Sequence, residues 1–406
     1  MQRESENAQI QREAGSGSRS ALAFVLLIGA LSFFADFTYE GSRSILGPFL
    51  ASLQATGTIV GVVTGFGELM GYAIRLVSGR LADATRRFWL ITICGYVLQM
   101  ASVPALAFAQ TWQTAAVLIV LERTGKAIRN PPRDVMLSHA GKRMGGYGWA
   151  FGVHEALDQF GAMCGPLALS AVLAYRGSFR LAFATLAIPA AINLSLVAAA
   201  RITYPRPQDL EVRSTAAVGG RGFPRVFWAY LAGAALVAAG FADYPIIAFH
   251  LSRRDVVSTE GIAVFYAVAM AVSGAGSLAL GRLFDRHGFR VLVGLTLVAA
   301  LFAPLVFLGG FWIALLGAAI WGLGMGVHES IIPAAVAPMV AVDRRASAFG
   351  LFTAGYGVAW FAGSAVIGIL YDRSVPATIA FCLVTQLLAV PVFAWVGRHV
   401  AQGVHR

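Results

Sequence analysis

Runs of roughly 20 apolar residues, separated by short polar turns, recur from one end of this 406-residue chain to the other. They fall near 21–50, 57–78, 89–109, 113–138, 147–174 and 178–200, and again near 225–250, 260–280, 290–309, 311–338, 347–371 and 375–397. Each is long enough to cross a hydrocarbon core about 30 Å thick. Helices are predicted for all of them, because a lipid-exposed backbone must satisfy its own hydrogen bonds. The expectation is an all-α membrane protein with twelve transmembrane helices.

The pattern is also duplicated. Gly79-Arg80-Leu81-Ala82-Asp83 matches Gly281-Arg282-Leu283-Phe284-Asp285, and Phe151-Gly152 matches Phe349-Gly350. Phe34-Ala35-Asp36 falls on Phe241-Ala242-Asp243 and Gly125 on Gly324, so the offset stays between 198 and 207 residues across four segments. A repeat this long in an apolar chain predicts two pseudo-symmetric six-helix bundles with a solute site near the midplane between them. The expected divisions are a disordered cytoplasmic tail over 1–20, a first bundle over 21–200, a cytoplasmic linker over 201–224, a second bundle over 225–398 and a short tail over 399–406. The linker assignment rests on Pro205, Pro207, Gly219, Gly220 and Gly222 among charges. The first 20 residues are polar, without a short apolar core and cleavage site, and so do not read as a signal peptide.

Composition agrees, since 58% hydrophobic and 13% charged residues fall far from the roughly 25% charge of a soluble domain. The net charge of +11 raises the question of nucleic acid, and the positions of the 31 Lys and Arg residues answer it. Twenty lie in the tails and the loops after even-numbered spans, five lie in the opposite loops, and six lie within spans. By the positive-inside rule both termini are cytoplasmic, so the basic balance reports topology and no nucleic-acid partner is expected. Cys94, Cys164 and Cys382 stand singly inside spans and read as packing residues.

At the ends of spans 2 and 8, Gly79-x-Leu81-x-Asp83 with Arg86-Arg87, and Gly281-x-Leu283-x-Asp285 with Arg286, resemble the cytoplasmic loop motif of the major facilitator superfamily (MFS). The resemblance implies that Gly79, Asp83, Arg87, Gly281, Asp285 and Arg286 form the conformational-switch motif, the glycine permitting close helix approach and the carboxylate meeting a helix N-terminus. Span 5 carries Gly161-Ala162-Met163-Cys164-Gly165-Pro166, which resembles the Gly-x-x-x-Gly-Pro motif of antiporter branches. Gly161 and Gly165 make a groove for a neighbouring helix, and Pro166 is expected to bend span 5. The basic run from Glu122 to Asp134, followed by Phe151-Gly152-Val153-His154, resembles uncharacterised bacterial permeases related to drug/proton antiporters. In span 4, Leu121 stands where drug exporters carry an arginine.

Charges inside spans cost about 2.5–3.5 kcal/mol each at the bilayer centre and persist when paired, hydrated or functional. The first half has many. Asp36, Glu40 and Arg43 share one face of span 1, Glu68 and Arg75 one face of span 2, and His154 and Asp158 one face of span 5. The second half answers only with Asp243, His250, His328 and Glu329. Three readings stand side by side: mutual neutralisation that stabilises the bundle, proton coupling, and anion binding by arginines. A carboxylate in a low-dielectric interior takes up and releases protons near neutral pH, which makes Asp36, Glu68, Asp158 and Asp243 the proton-coupling candidates. Glu40, Arg43, Arg75, Arg129, His154, His328, Glu329 and Tyr356 are the solute-cavity candidates. An alternative for Asp243 is a capping role, because Pro245 follows it closely. No His/Cys spacing supports a metal site, and no cofactor is expected beyond a coupling ion, a proton or sodium.

The reading is a secondary transporter of a bacterial inner membrane that moves a small organic solute by alternating access, with proton-coupled export as the first expectation. Uptake of an organic anion through the in-span arginines is the alternative, and a non-transporting sensor on the same fold is another. No Ser-His or metal-spaced arrangement supports an enzyme. The lipid bilayer and a small-molecule substrate are the expected partners, and a monomer suffices for the architecture.

Overall fold

The computed structural model describes residues 2–141, 147–205, 223–332, 335–336, 339–340 and 345–403. They form helices α1 (Gln2–Ser52), α2 (Gly57–Thr85), α3 (Phe88–Ala105), α4 (Trp112–Gly141), α5 (Tyr147–Arg176) and α6 (Phe179–Thr203). The second series is α7 (Arg225–Arg253), α8 (Thr259–His287), α9 (Phe289–Leu308), α10 (Phe311–Gly326), α11 (Arg345–Arg373) and α12 (Val375–Gly403). No strand occurs among the described residues. Eleven of the helices are long and apolar enough to cross a membrane. The twelfth, α4, has the length but carries Arg123, Lys126, Arg129 and Arg133, which dilute its apolar character.

Helix α1 starts at Gln2 and so takes in the polar segment 2–20, whose Glu, Gln and Arg residues are good helix formers. One expectation about these elements changes. Span 10 does not run as a plain helix to 338. It passes at Gly326 into a π turn, Val327–Ile331, a local widening that is frequent at functional sites.

Helix packing repeats with the sequence. In the first half α1 packs on α5, α4 on α2 and α3, and α6 on α1 and α3; in the second half α7 packs on α11, α10 on α8 and α9, and α12 on α7 and α9. Between the halves, α2 meets α11 and α5 meets α8, two seams that exchange under the pseudo-twofold, and α1 lies along the second part of α7.

Close backbone approach explains two of these seams. A methyl group at Gly161 or Gly165 would strike the carbonyl oxygens of Phe33 or Phe37, so the glycine pair of α5 lets α1 lie against its backbone. The helix continues through Pro166. Gly61 and Gly368 do the same for α2 and α11. At the far end of that seam, the Asp372 carboxylate accepts hydrogen bonds from the backbone of Gly57 and Thr58, both at 2.7 Å, and from the Thr58 hydroxyl at 2.6 Å. A carboxylate from one half thus docks on the helix N-terminus of the other, where the partial positive charge favours an anion. These contacts join the two halves at the end of the molecule opposite the chain termini.

Candidate functional site

The charges of the first half fold into one network on the facing sides of α1, α2 and α4. Glu68 of α2 forms an ion pair with Arg123 at 2.9 Å and accepts from Arg43 at 3.4 Å. Lys126 lies 3.7 Å from Asp36 and 4.0 Å from Glu40. Tyr39, one residue before Glu40, takes the Arg123 guanidinium and the Lys126 ammonium over its ring at 4.7 and 3.8 Å, a cation–π arrangement.

Deeper in the bundle sits Arg129, 0% exposed. Its Nε donates to Gln99 at 2.6 Å, its Nη1 to Tyr96 at 3.1 Å and its Nη2 to Asp36 at 3.4 Å. This second knot ties α1, α3 and α4 together, and it accounts for the cost of so large a buried cation by giving it partners on three sides.

Two contacts carry the network across the pseudo-symmetry boundary. Arg43 Nη2 donates to Asp243 Oδ1 at 2.8 Å, with both side chains almost fully buried, at 4% and 1% exposure. The Tyr266 hydroxyl of α8 donates to Glu40 Oε2 at 2.5 Å. Asp243 lies where α7 breaks, between segments ending at Gly240 and restarting at Tyr244. It heads the second segment without making a side-chain cap. The capping alternative is therefore replaced: the Asp243 carboxylate faces Arg43, and the carbonyl of Ala242 at the break is satisfied by the Trp321 indole at 2.7 Å.

Beside these ties lies a cavity of about 340 Å³ at the middle turns of the helices. Its first-half wall carries Glu40, Arg43, Glu68, Arg75, Arg123 and Lys126, and its second-half wall His328, Glu329 and Trp360. The π turn places His328 and Glu329 there, and His328 Nδ1 is hydrogen-bonded to the Tyr356 hydroxyl. Four polar atoms on the lining residues have no hydrogen-bond partner: Arg43 Nε, Arg75 Nε, His328 Nε2 and Trp360 Nε1.

Of the residues singled out in the sequence, Glu40, Arg43, Glu68, Arg75, His328 and Glu329 line this cavity together. Asp243 touches it through Arg43, and Tyr356 backs it through His328. Asp36, Arg129, His154 and Asp158 lie away from its wall. Arg129 and Asp36 are occupied with each other. His154 Nε2 lies 2.7 Å from Ser32 Oγ, which also accepts from Arg133 at 3.2 Å, so its partner is α1 and not Asp158. Asp158 Oδ1 is buried without a hydrogen-bond partner. Gly79 makes no close helix approach in this conformation, since a methyl there would reach only Pro131 Cβ at 3.6 Å. The side chains of Asp83, Gly281 and Asp285 lie outside the described residues, and Arg87 and Arg286 are exposed. Sequence reasoning missed Tyr39, Tyr72 and the cavity-facing placement of Arg123. The available signal was an aromatic residue within a turn of a charge, at Tyr39 before Arg43 and Tyr72 before Arg75.

A model of the Major Facilitator Superfamily matches residues 25–364 and, in a second match, 244–404. The chain belongs to the Major Facilitator Superfamily. Its resemblance to a transporter family, read from the loop motifs, is thereby established over nearly its whole length. This superfamily member is 40% identical over 377 residues to an uncharacterised protein of Mycobacterium tuberculosis, covering 91% of this chain and 92% of that one. It is 29% identical over 282 residues to a chloramphenicol resistance protein of Streptomyces lividans, covering 66% of this chain and 62% of that one. The crystal structure of a POT family transporter in complex with 5-aminolevulinic acid has the same fold, with a TM-score of 0.73 at 12% identity over 93% of this chain and 96% of that one. The molecule is a multi-pass membrane transporter, and its central cavity is the candidate solute site.

Proposed function

We propose that this transporter exports a small organic solute in exchange for protons across a bacterial inner membrane. The observation that carries the reading is the set of unpartnered polar atoms on both walls of one cavity: Arg43 Nε and Arg75 Nε from the first half, His328 Nε2 and Trp360 Nε1 from the second. Buried polar atoms without partners cost free energy. A solute that supplies those partners is bound, and in the same act it bridges the two halves.

Proton coupling follows from the ties beside the cavity. A proton on Asp243 cancels its attraction for Arg43, and a proton on Glu68 cancels its attraction for Arg43 and Arg123. Solute and proton then compete to set one equilibrium between the halves, which is the thermodynamic requirement for exchange. The chloramphenicol resistance relative supports the outward direction. Uptake of an organic anion has one specific observation in its favour: Arg75 lines the cavity without a carboxylate partner among the described residues.

The deciding experiment places purified protein in liposomes loaded with a pH dye and adds lipophilic cations, neutral amphiphiles or organic anions. Saturable proton movement opposite to a cationic or neutral solute is expected. Movement with anions alone, lost in Arg75→Gln, would replace export by anion uptake. Saturable solute binding with no flux of any kind would favour the sensor.

A further inference from the structure

A second pocket, of about 360 Å³, opens on the surface at the end of the molecule that carries the chain termini. Arg86 and Arg87 from the α2–α3 turn and Arg201 from the last turn of α6 converge on it. All three are exposed, and none is paired with a carboxylate among the described residues. Arg86 takes a left-handed backbone conformation, φ 55°, as the C-cap of α2, and Arg87 heads α3 without a side-chain cap. The partial positive charge of the α3 N-terminus thus adds to that of the guanidiniums. The site is held in shape: the buried Trp89 donates its indole N–H to the Tyr204 carbonyl at 2.9 Å, pinning α3 to the end of α6, and Arg201 Nη1 donates to the Pro205 carbonyl at 3.1 Å.

The apolar side of the same pocket points to the occupant. Leu90 and Ile93 line it, and Val97 continues their face one turn deeper along α3. Leu90 and Val97 are 53% and 48% exposed, as is 79% of Ile202 on α6. A basic rim continuous with an exposed apolar face suits a ligand with a phosphate at one end and hydrocarbon at the other. A soluble phosphate would leave that face unused. An apolar solute would leave three cations unmatched.

We infer that this pocket seats an anionic phospholipid, its phosphate between Arg86, Arg87 and Arg201 and its acyl chains along α3 and α6. Basic pockets between membrane helices recognise anionic headgroups in this way, each cation contributing on the order of 1 kcal/mol. The lipid is a bound partner distinct from the transported solute, because the pocket lies outside the central cavity and shares none of its residues.

The test is native mass spectrometry of the full-length protein in neutral detergent, titrated with phosphatidylglycerol or with phosphatidylcholine of the same acyl chains. The wild type is expected to retain phosphatidylglycerol preferentially, and each arginine replaced by glutamine is expected to weaken retention about fivefold. Arg86→Gln/Arg87→Gln/Arg201→Gln should therefore lose the preference, and Arg201→Gln alone should lose part of it if the triple variant folds poorly. Arg176→Gln/Arg180→Gln, which removes two exposed charges at the opposite end, should keep it. Equal retention of both lipids by the wild type would overturn the proposal, as would unchanged retention by Arg201→Gln and the triple variant, or equal loss in the Arg176/Arg180 control. Displacement of phosphatidylglycerol by millimolar inorganic phosphate would reassign the pocket to a soluble anion.

Discussion

Asp36 and Asp243 occupy equivalent positions in the two copies and do different work. The difference lies in the helices that carry them: α1 runs unbroken past Asp36, whereas α7 breaks at 241–243 and turns the Asp243 carboxylate toward Arg43. Removing one member of a buried pair costs about 3–5 kcal/mol, because the other is left unmatched. Asp243→Asn is therefore expected to lower the thermal unfolding temperature in detergent by several degrees and to remove the pH dependence of flux. Removing the cation as well, in Arg43→Met/Asp243→Asn, should recover part of the stability without restoring coupling. Arg43 and Asp243 were each legible in the sequence as charges too costly to be idle. Their pairing was not, since 200 residues separate them and no periodicity links separate helices. For the same reason a helical face alone does not separate Arg129, closed inside its bundle, from Arg75, open to the cavity.

At the scale of elements, most helices were legible from apolar runs, and the glycine pair of α5 from its spacing. The π turn of α10 was not, because widening a helix by one residue leaves no mark on a hydrophobic pattern, yet it brings His328 and Glu329 to the cavity. The seam between α2 and α11 depends on two glycines and on Asp372. A side chain at position 61 would strike the Ser364 carbonyl, so Gly61→Leu is expected to hold the seam apart and favour the state open at that end. With Cys94 replaced by Ser, a cysteine introduced at Thr353 on the cavity wall should then react faster with an impermeant maleimide applied from that side. Asp372→Ala removes an acceptor from three donors of α2, a loss comparable to that of a helix cap, about 0.5–2 kcal/mol. It should shift the same labelling rate in the same direction by a smaller factor. Equal rates in all three proteins would mean that this seam is not a gate.

Across the whole molecule, the sixfold shift that maps α1–α5 packing onto α7–α11 repeats the offset visible in the residues themselves. If the stretch 201–224 is a linker between independently packed bundles, chains cut within it and co-expressed should co-purify and restore flux, and recovery of only one fragment would place the division elsewhere. The symmetry stops at the charges. Seven residues after Asp36 stands Arg43, which crosses to Asp243; seven after Asp243 stands His250, which bonds to Tyr371 in its own half, while Asp36 is held by Arg129 and Lys126. Among the described residues the molecule thus has one ionic latch where a true twofold would give it two. A rocker fastened on one side only has a preferred resting posture, and its two strokes are unequal in free energy even when the solutions on both sides of the membrane are identical.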